Sequence, residues 1–376
     1  MIYRALFELA LRRVEPERAH EMAKRSLRGL RSTAAGRALV RHSVGSTDPS
    51  LEVSALGLTF SSPLGVAAGV DKDATWFDDL GALGFGFVEV GTITALAQPG
   101  NPKPRVARVP ASHALVNRMG FPNPGAEVAA GRLGRARATR ESGGRAAGRT
   151  IVGVNVGKSM AVRLQDAAED YRTAVRRLAP VADYVVLNVS SPNTPGLREM
   201  QGVEELGRLI GAVRSELSAA DAPAPLMIKI APDLDDDQID AIARLALELE
   251  LDGIVAVNTT VDRGVLGEAT DVAIPFDGGG VSGRPLGARA LGVLRRLYAN
   301  VGHRLVLVSV GGIETADDVW ERIVAGATLV QVYTGLVYGG PAWASRVNRD
   351  LARMVHAAGA SSVAELVGAG AVPTPA

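Results

Sequence analysis

The sequence predicts an α/β protein, a (β/α)8 TIM barrel with an N-terminal extension of two amphipathic helices. From Pro63 onward, eight short apolar runs alternate with longer amphipathic stretches, which is typical of buried parallel strands joined by helices. Polar or glycine-rich residues follow nearly every run, as in the βα-loops that build the active face of a barrel. A doubly wound open sheet is the alternative, but the turn at residues 67–72 lacks the G-x-G-x-x-G spacing.

The predicted strands are the eight apolar runs themselves. They span residues 64–68, 87–91, 151–156, 184–189, 226–230, 253–257, 305–310 and 329–333. Before them, residues 51–60 read as two short alternating strands around a turn, which predicts a hairpin at the bottom of the barrel.

Three regions divide the chain. Residues 1–45 form the extension, residues 46–360 the catalytic barrel, and residues 361–376 a small-residue tail that we expect to be flexible. The extension carries ten basic residues against four acidic ones. Such a basic amphipathic helix pair either lies at an anionic membrane surface or packs on the barrel.

Composition excludes several classes of function. The 376 residues are 47% hydrophobic, enough for a large core, and the net charge of +1 argues against coating nucleic acid. The absence of cysteine excludes disulfides, thiolate nucleophiles and iron-sulfur clusters, and we expect no metal site. With no run of about 18 apolar residues and no signal peptide pattern, we expect an intracellular protein.

The strongest local signal for chemistry is the segment 188–196, Asn-Val-Ser-Ser-Pro-Asn-Thr-Pro-Gly, which follows the fourth run. Its carboxamides, with those of Asn117 and Asn258, can donate and accept hydrogen bonds to a polar heterocycle, although any one of them can instead form a turn or cap. None of the five histidines lies close to a strand end, so a hydrolytic triad around Ser191 is not expected. A serine can still accept a proton if water relays it.

Lys229 and two glycine turns indicate a flavin phosphate. Lys229 ends the fifth run among apolar neighbours and is one of only five lysines, so its ammonium needs an anionic partner. That partner is either a reduced flavin, which is negative near N1, or a barrel carboxylate. Residues 311–313 and 333–335 follow the seventh and eighth runs, where barrels bind phosphate through backbone N–H groups, unless the glycines serve only the turns.

Together these motifs resemble the dihydroorotate dehydrogenases, specifically the quinone-dependent, membrane-associated class 2 branch. The resemblance spans nearly the whole chain. It includes residues 16–20, 67–73, 91–92, 100–105, 117–121, 155, 188–196, 229–233, 258–260, 282–286, 311–313 and 333–335.

The resemblance implies that (S)-dihydroorotate is oxidised to orotate, the fourth step of pyrimidine synthesis, on one tightly bound FMN per chain. Ser191 would take the C5 proton while the C6 hydride passes to the flavin. The class 1 enzymes use cysteine as this base, and this chain has none. A membrane quinone, ubiquinone or menaquinone, would reoxidise the flavin.

Carried over residue by residue, the resemblance also assigns contacts. The substrate contacts would be Lys72, Asn117, Arg118, Met119, Gly120, Phe121, Asn188, Asn193, Asn258 and Thr259. The FMN contacts would be Ala68, Gly69, Val70, Asp71, Lys72, Thr92, Asn155, Asn188, Lys229, Val257, Gly283, Gly312, Tyr333 and Thr334. The quinone contacts would be His20, Arg108 and Tyr333.

Two positions depart from the family pattern. Val257 stands where many relatives have threonine, so a hydroxyl contact to FMN is lost, and we expect a small effect. Residues 95–98, Ala-Leu-Ala-Gln, are less polar than in relatives, and the quinone preference would differ if they line its path.

The resemblance also implies a location. Residues 1–45 would form the quinone path at the membrane, and we expect a monomeric peripheral protein on the cytoplasmic side of the cell membrane, without nucleic-acid partners. Two other functions predict different features. A dihydrouridine synthase is expected to have a basic tRNA-binding domain and usually a catalytic cysteine. A non-enzymatic membrane scaffold would bind no flavin.

Overall fold

Eight parallel strands close into a barrel in the computed structural model, which describes residues 2–45, 47–142, 150–218, 224–271 and 273–370. Around the barrel the strands follow the order β10-β12-β13-β3-β4-β7-β8-β9. The strands are β1 Val53–Ala55, β2 Leu58–Phe60, β3 Leu64–Val66, β4 Phe87–Ile93, β5 Val106–Val109, β6 Ala114–Asn117, β7 Ile151–Val156, β8 Tyr184–Asn188, β9 Leu226–Ile230, β10 Gly253–Ala256, β11 Gly280–Gly283, β12 Val306–Val310 and β13 Leu329–Val332. The barrel prediction is therefore confirmed.

Three helices precede the barrel, and the helices after them alternate with the barrel strands and cover their outer faces. They are α1 Ile2–Leu9, α2 Pro16–Ser32, α3 Ala34–Val44, α4 Phe77–Gly81, α5 Ala126–Ser142, α6 Ala167–Leu178, α7 Val203–Ser218, α8 Asp236–Glu248, α9 Gly287–Val301, α10 Ala316–Val324, α11 Thr334–Gly339 and α12 Trp343–Ala357. Each predicted apolar run coincides with one barrel strand, with ends that differ by up to two residues. Where a run extends beyond the end of its strand, apolar residues continue into the βα-turn; β4 instead continues through Thr92 and Ile93.

The hairpin predicted at residues 51–60 is present as the antiparallel pair β1 and β2. Phe60 at its end is fully buried and packs edge-on against Phe87, with ring centroids 5.3 Å apart. Because Phe87 is the first residue of β4, this contact closes the end of the barrel where the strands begin.

A second sheet lies at the other end of the barrel, and the sequence analysis did not predict it. Strands β5 and β6 pair antiparallel, and β11 joins β6 from far along the chain. Its apolar side chains form a small separate core that includes Val109, Val116 and Phe276. This sheet therefore adds a wall beside the mouth of the barrel.

Both predicted helices of the extension are present, as α1 and α2, and a third, α3, follows them. The Glu15 carboxylate accepts hydrogen bonds from the backbone N–H groups of Glu17 and Arg18, and Pro16 occupies the first turn, so the start of α2 is well capped. Ion pairs of Lys24 with Asp73 and of Arg31 with Asp79 join α2 to the loop after β3 and to α4, respectively. The extension is therefore packed on the barrel.

The extension also exposes apolar side chains. Leu9, Met22, Leu30 and Leu39 are 73%, 51%, 41% and 56% exposed. Within the described ranges, no helix has the length and apolar character needed to cross a membrane.

The first ten residues of the tail, 361–370, pack on the protein, in contrast to the flexibility expected from the sequence. Residues 363–366 form a 3-10 helix with Val363 buried, and the N–H groups of Gly368 and Gly370 donate to the carbonyls of Ile323 and Val324 on α10. This stretch is held because burial and backbone hydrogen bonds offset the entropy of ordering it. Residues 371–376 lie outside the described part of the chain.

Candidate active site

A cavity opens where the barrel strands end and encloses about 1150 Å³, including its open mouth. Loops after the barrel strands and the wall of the β5-β6-β11 sheet line it, as expected for the active face of a barrel. Among the predicted site residues it is lined by Ala68, Gly69, Lys72, Thr92, Asn117, Met119, Gly120, Phe121, Asn188, Ser191, Asn193, Lys229, Val257, Asn258, Thr259, Gly283, Gly312, Tyr333 and Thr334. Residues from distant parts of the sequence are thus brought to one site.

Four of the predicted substrate and FMN contacts do not line the cavity: Val70, Asp71, Arg118 and Asn155. The guanidinium of Arg118 lies 5.2 Å from the ring centroid of Phe276, in the small sheet's core. Asp71 is fully buried and its carboxylate accepts hydrogen bonds from the N–H groups of Thr75 and Trp76. The side chains of Arg118 and Asp71 therefore shape the surrounding loops.

Ser191 lies in the turn after β8 and is 4% exposed, with its side chain at the cavity. Its hydroxyl oxygen accepts a hydrogen bond from the backbone N–H of Asn193 at 3.2 Å. The Asn193 side chain in turn donates to the Asn117 carbonyl oxygen at 3.3 Å. The turn thus holds a hydroxyl and two carboxamides together at the cavity.

Histidines do not assist this serine among the described residues. The ring of His20 packs edge-on against Trp76, and His113 pairs with Glu314 at 3.0 Å. The hydrolytic triad that the sequence argued against is therefore not formed by these side chains.

A network of carboxamides lies behind Ser191. The Asn188 side chain donates to the Thr92 hydroxyl at 2.9 Å and to the Asn155 oxygen at 3.1 Å. Its own oxygen accepts from the Ser190 hydroxyl at 2.9 Å and from Asn258 at 3.3 Å. Since these groups satisfy one another, the network is fixed before any ligand binds.

Lys229 is 5% exposed and faces the cavity from β9. Burial lowers the pKa of its ammonium, and the charge of Glu89 partly offsets this effect. A buried cation beside an open cavity favours an anionic ligand, because the ligand would replace the solvation that burial removes. Both predicted partners therefore remain open: Glu89 is a barrel carboxylate whose charge acts on Lys229, and the cavity leaves room for an anionic ligand.

Two turns, after β12 and after β13, bring backbone groups to the cavity. Gly311 and Gly312 follow β12 with φ angles of +117° and +76°, and a Cβ at Gly312 would lie 2.2 Å from the Gly287 Cα. Thr334 begins α11, and its hydroxyl pairs with that of Ser282 at 2.9 Å. Such turns allow close approach of a phosphate to the backbone.

Comparison with known proteins agrees with this geometry. A sequence profile of the family described as dihydroorotate dehydrogenase matches residues 50–355. The chain belongs to the dihydroorotate dehydrogenase family. Dihydroorotate dehydrogenase (quinone) of Thermobifida fusca is 51% identical over 100% of this chain and 98% of its own length. That of Rhodococcus opacus is 52% identical over 98% and 100% of the two chains.

A solved structure of the same family is also similar. The crystal structure of DHODH from Eimeria tenella in complex with ferulenol superimposes with a TM-score of 0.82 and 37% identity, covering 91% of this chain and 96% of that one. The resemblance to quinone-dependent dihydroorotate dehydrogenases that the motifs carried is therefore confirmed.

Two of the three predicted quinone contacts lie between the extension and the barrel. Arg108 on β5 donates to the Val14 carbonyl at 2.6 Å, and its guanidinium is 6.0 Å from the ring centroid of Phe7. Burial lowers its pKa. Tyr333, the third, lines the cavity itself.

Burial and two neighbouring cations keep His20 neutral. Burial lowers its pKa to about 3, and the charges of Lys72 and Lys24 act in the same direction against Asp73. The pKa of Glu17 on α2 is also lowered, since Arg105, Lys103 and Lys72 together outweigh the effect of burial.

The cavity is also lined by residues that were not among the predicted contacts. Six of them belong to the motifs and glycine turns that the sequence analysis singled out: Ala67, Ser282, Leu286, Gly311, Ile313 and Gly335. The other six were not predicted at the site: Val106, Leu115, Pro122, Val310, Gln331 and Val332. Gln331 could have been found, because it is a polar residue inside the apolar eighth run. The wall that β11 completes could not, because β11 pairs with β6 from more than 160 residues away. The less polar segment 95–98 does not line the cavity.

Proposed function

We propose that this protein oxidises (S)-dihydroorotate to orotate, with FMN as the bound redox group and a membrane quinone as the final acceptor, in the fourth step of pyrimidine synthesis. Family membership and the relatives' quinone-dependent activity, read from their names, support the reaction. The observation that carries it in this chain is Ser191 at a cavity edged by fixed carboxamides and one buried ammonium.

The described residues fit a flavin phosphate. Lys229 supplies a buried cation with no hydrogen bond or ion pair to it among the described side chains, and Gly312 leaves a backbone surface that a Cβ would fill. We propose that Lys229, Thr92 and Asn188 hold the ring system, and that Gly283, Gly312 and Thr334 hold the phosphate. Bound there, FMN would supply the hydride acceptor for the substrate and the two-electron carrier to the quinone.

The protein's own contribution to substrate oxidation is proton removal. We propose that the Ser191 hydroxyl takes the proton from C5 as the C5–H bond breaks, while the C6 hydrogen leaves as hydride and the C5=C6 bond forms. A serine is a weak base, so its own proton must pass on through water at the cavity mouth. The N–H of Asn193, which donates to Ser191 Oγ, holds the oxygen in place and would stabilise negative charge on it.

Carboxamides would bind the substrate ring. Dihydroorotate presents amide N–H and C=O groups, and a carboxamide can match both at once. Asn117, Asn193 and Asn258 line the cavity next to Ser191, and Lys72 offers a cation for the carboxylate. The backbone N–H of Thr259 donates to the side-chain Oδ1 of Asn258 at 2.8 Å, which fixes the orientation of that side-chain amide.

The extension would admit the quinone. We propose that residues 1–45 lie on the cytoplasmic surface of the cell membrane as a peripheral attachment of a monomer. Their excess of basic residues and their exposed leucines support this location. The quinone would then approach between α1, α2 and the barrel, where Arg108 and His20 lie.

A visible spectrum tests the function directly. Purified protein is expected to be yellow, and anaerobic addition of dihydroorotate is expected to bleach the flavin absorbance. A colourless protein, or a flavin that remains oxidised with dihydroorotate, contradicts the proposal.

A further inference from the structure

A buried carboxylate inside the barrel has no part in the reaction described above. Glu89 on β4 is fully buried. One carboxylate oxygen accepts from the Asn155 Nδ2 at 2.8 Å, and the other from the Gln331 Nε2 at 2.6 Å. Both partners donate, which suits an ionised carboxylate, since this form can only accept.

An ionised carboxylate in a barrel interior needs a compensating charge. Lys229, also buried, is the cation whose charge Glu89 acts on through space, without a direct hydrogen bond between the two side chains among the described contacts. Together they bring one positive and one negative charge to the inner end of the cavity. The local net charge of this pair is therefore zero.

Glu89 also fixes the orientation of two carboxamides, those of Asn155 and Gln331. The Asn155 amide nitrogen is held by Glu89, so its oxygen faces the Thr92 hydroxyl at 2.6 Å and the Asn188 amide at 3.1 Å. Gln331 is held in the same way from the opposite side and lines the cavity. The orientation of both amides thus depends on a group that does not itself line the cavity.

We propose that Glu89 is a positioning residue that sets the reduction potential of the bound flavin, by offsetting the charge of Lys229 and by orienting Asn155 and Gln331. The inference rests on the proposed function, because it requires FMN in the cavity. A lone ammonium near the ring would favour the anionic reduced flavin. Glu89 limits this preference, so that the electrons remain available to the quinone.

The Glu89→Gln variant tests this, because it keeps the shape of the side chain and removes its charge. We expect its flavin to be easier to reduce, with the equilibrium constant for reduction raised about tenfold, or about 30 mV for a two-electron couple. The potential is measured by equilibration with reference dyes. Reduction by dihydroorotate should persist, while reoxidation by a short-chain ubiquinone slows.

Two variants serve as controls. Glu89→Asp keeps the charge and should keep the potential closer to that of the wild type. Asp170→Asn removes another buried carboxylate, one that accepts hydrogen bonds from the N–H and hydroxyl of Ser159 and does not line the cavity. It should leave the potential unchanged even if it lowers stability.

An unchanged reduction potential in flavin-loaded Glu89→Gln protein overturns this inference but not the proposed function. If the Glu89→Gln variant holds no flavin, the Gln331→Leu variant provides the test. It keeps the charge of the Glu89 carboxylate and removes one of the hydrogen bonds that stabilise this charge. Its potential should fall, and an unchanged or raised value overturns the inference. A wild-type protein that holds no flavin overturns the proposed function and this inference with it.

Discussion

The Ser191 hydroxyl is the single group on which the proposed proton transfer depends. Replacing it with hydrogen in Ser191→Ala removes the acceptor but none of the side chains that line the FMN region. We expect the variant to retain flavin while its reduction by dihydroorotate at neutral pH slows by roughly 10²- to 10⁴-fold, the usual size of a general-base contribution. Anaerobic stopped-flow absorbance measures this rate.

A matched control lies three residues away. Thr194 is 4% exposed and its hydroxyl has no hydrogen-bond partner among the described residues, so Thr194→Val removes a buried hydroxyl from the same turn without breaking a contact. Its rate of flavin reduction should be close to that of the wild type. Equal rates in Ser191→Ala and wild-type protein would remove Ser191 as the base.

Arg108 allows the quinone side to be separated from the substrate side. Its guanidinium donates to the Val14 carbonyl and lies over the Phe7 ring. Arg108→Leu therefore removes contacts between the extension and the barrel. We expect the KM for a ubiquinone analogue to rise about tenfold, the loss of one charged hydrogen bond, with flavin reduction unchanged. Arg163→Leu, at an exposed ion pair, is the control; equal effects of the two variants argue against the assignment.

How far sequence alone reaches is clear from individual residues. Asn188, Ser191 and Asn258 were predicted because polar residues after apolar runs meet at one end of a barrel. Glu89 was not: like Gln331 it is a polar residue inside an apolar run, but its role depends on neighbours from β7 and β13 that the sequence does not bring together. Arg118 illustrates the reverse: its place in the motif predicted a contact, but its side chain packs against Phe276.

At the scale of the elements, the turn between β12 and α10 leaves little room for a side chain. Gly312 has a φ angle of +76°, and an added Cβ would meet the Gly287 Cα at 2.2 Å. Gly312→Ala must therefore displace backbone on one side of the proposed phosphate region. We expect loss of bound FMN and a lower thermal midpoint, measured by flavin content and calorimetry.

The control for this turn is Gly292→Ala on α9. Nothing lies within 4 Å of a Cβ added at Gly292, and alanine favours a helix over glycine by roughly 1 kcal/mol. Its flavin content should be unchanged and its midpoint equal or slightly higher. Full flavin content in Gly312→Ala would show that this turn does not hold the phosphate.

Helix α2 carries a pH-dependent element of stability. The pKa of His20 is near 3 because burial, and then Lys72 and Lys24, disfavour its charged form; in an undocked helix it would be about 6.5. A lowered histidine pKa gives docking stability that is complete above about pH 6.5 and lost as the pH falls toward 3. Between pH 7 and 5 the loss amounts to about 2 kcal/mol.

Hydrogen exchange of residues 16–32 at pH 7 and pH 5, corrected for intrinsic rates, measures this effect. His20→Gln should lack it, because a carboxamide does not titrate. The pKa values of Asp73 and Glu17 are both lowered, so these carboxylates weaken docking only at more acid pH. The same pH dependence in wild type and variant contradicts the role of His20.

The elements also divide into those that local pattern predicts and those that it does not. Each barrel strand is a buried apolar run, and each was predicted within two residues. The β5-β6-β11 sheet was missed because β11, Gly-Val-Ser-Gly, is too short and too rich in glycine to indicate a strand, and it forms only by pairing with β6. The docked tail was missed because small residues signal flexibility unless a neighbouring helix holds them.

At the scale of the whole molecule, the extension both packs on the barrel and exposes apolar side chains on its outer surface. Ion pairs such as Glu17 with Arg105, 2.9 Å apart, fix α2 to the loops beside the cavity. The same helix exposes Met22 and Leu30 to the outside. A membrane surface bound there would deliver the quinone to the side of the barrel where Arg108 lies.

Vesicle binding tests this arrangement. The double replacement Met22→Gln and Leu30→Gln changes no charge and removes exposed apolar area. Full burial of one such side chain in the membrane surface would contribute about 1.5–3 kcal/mol to the free energy of binding. We therefore expect at least tenfold weaker co-sedimentation with vesicles of phosphatidylglycerol and phosphatidylcholine, with flavin reduction by dihydroorotate unchanged. Binding should also weaken at high salt, because basic residues contribute. Val203→Gln removes an apolar side chain of similar exposure, 46%, on α7, and should bind as the wild type does; equal loss in both variants would place the membrane contact elsewhere.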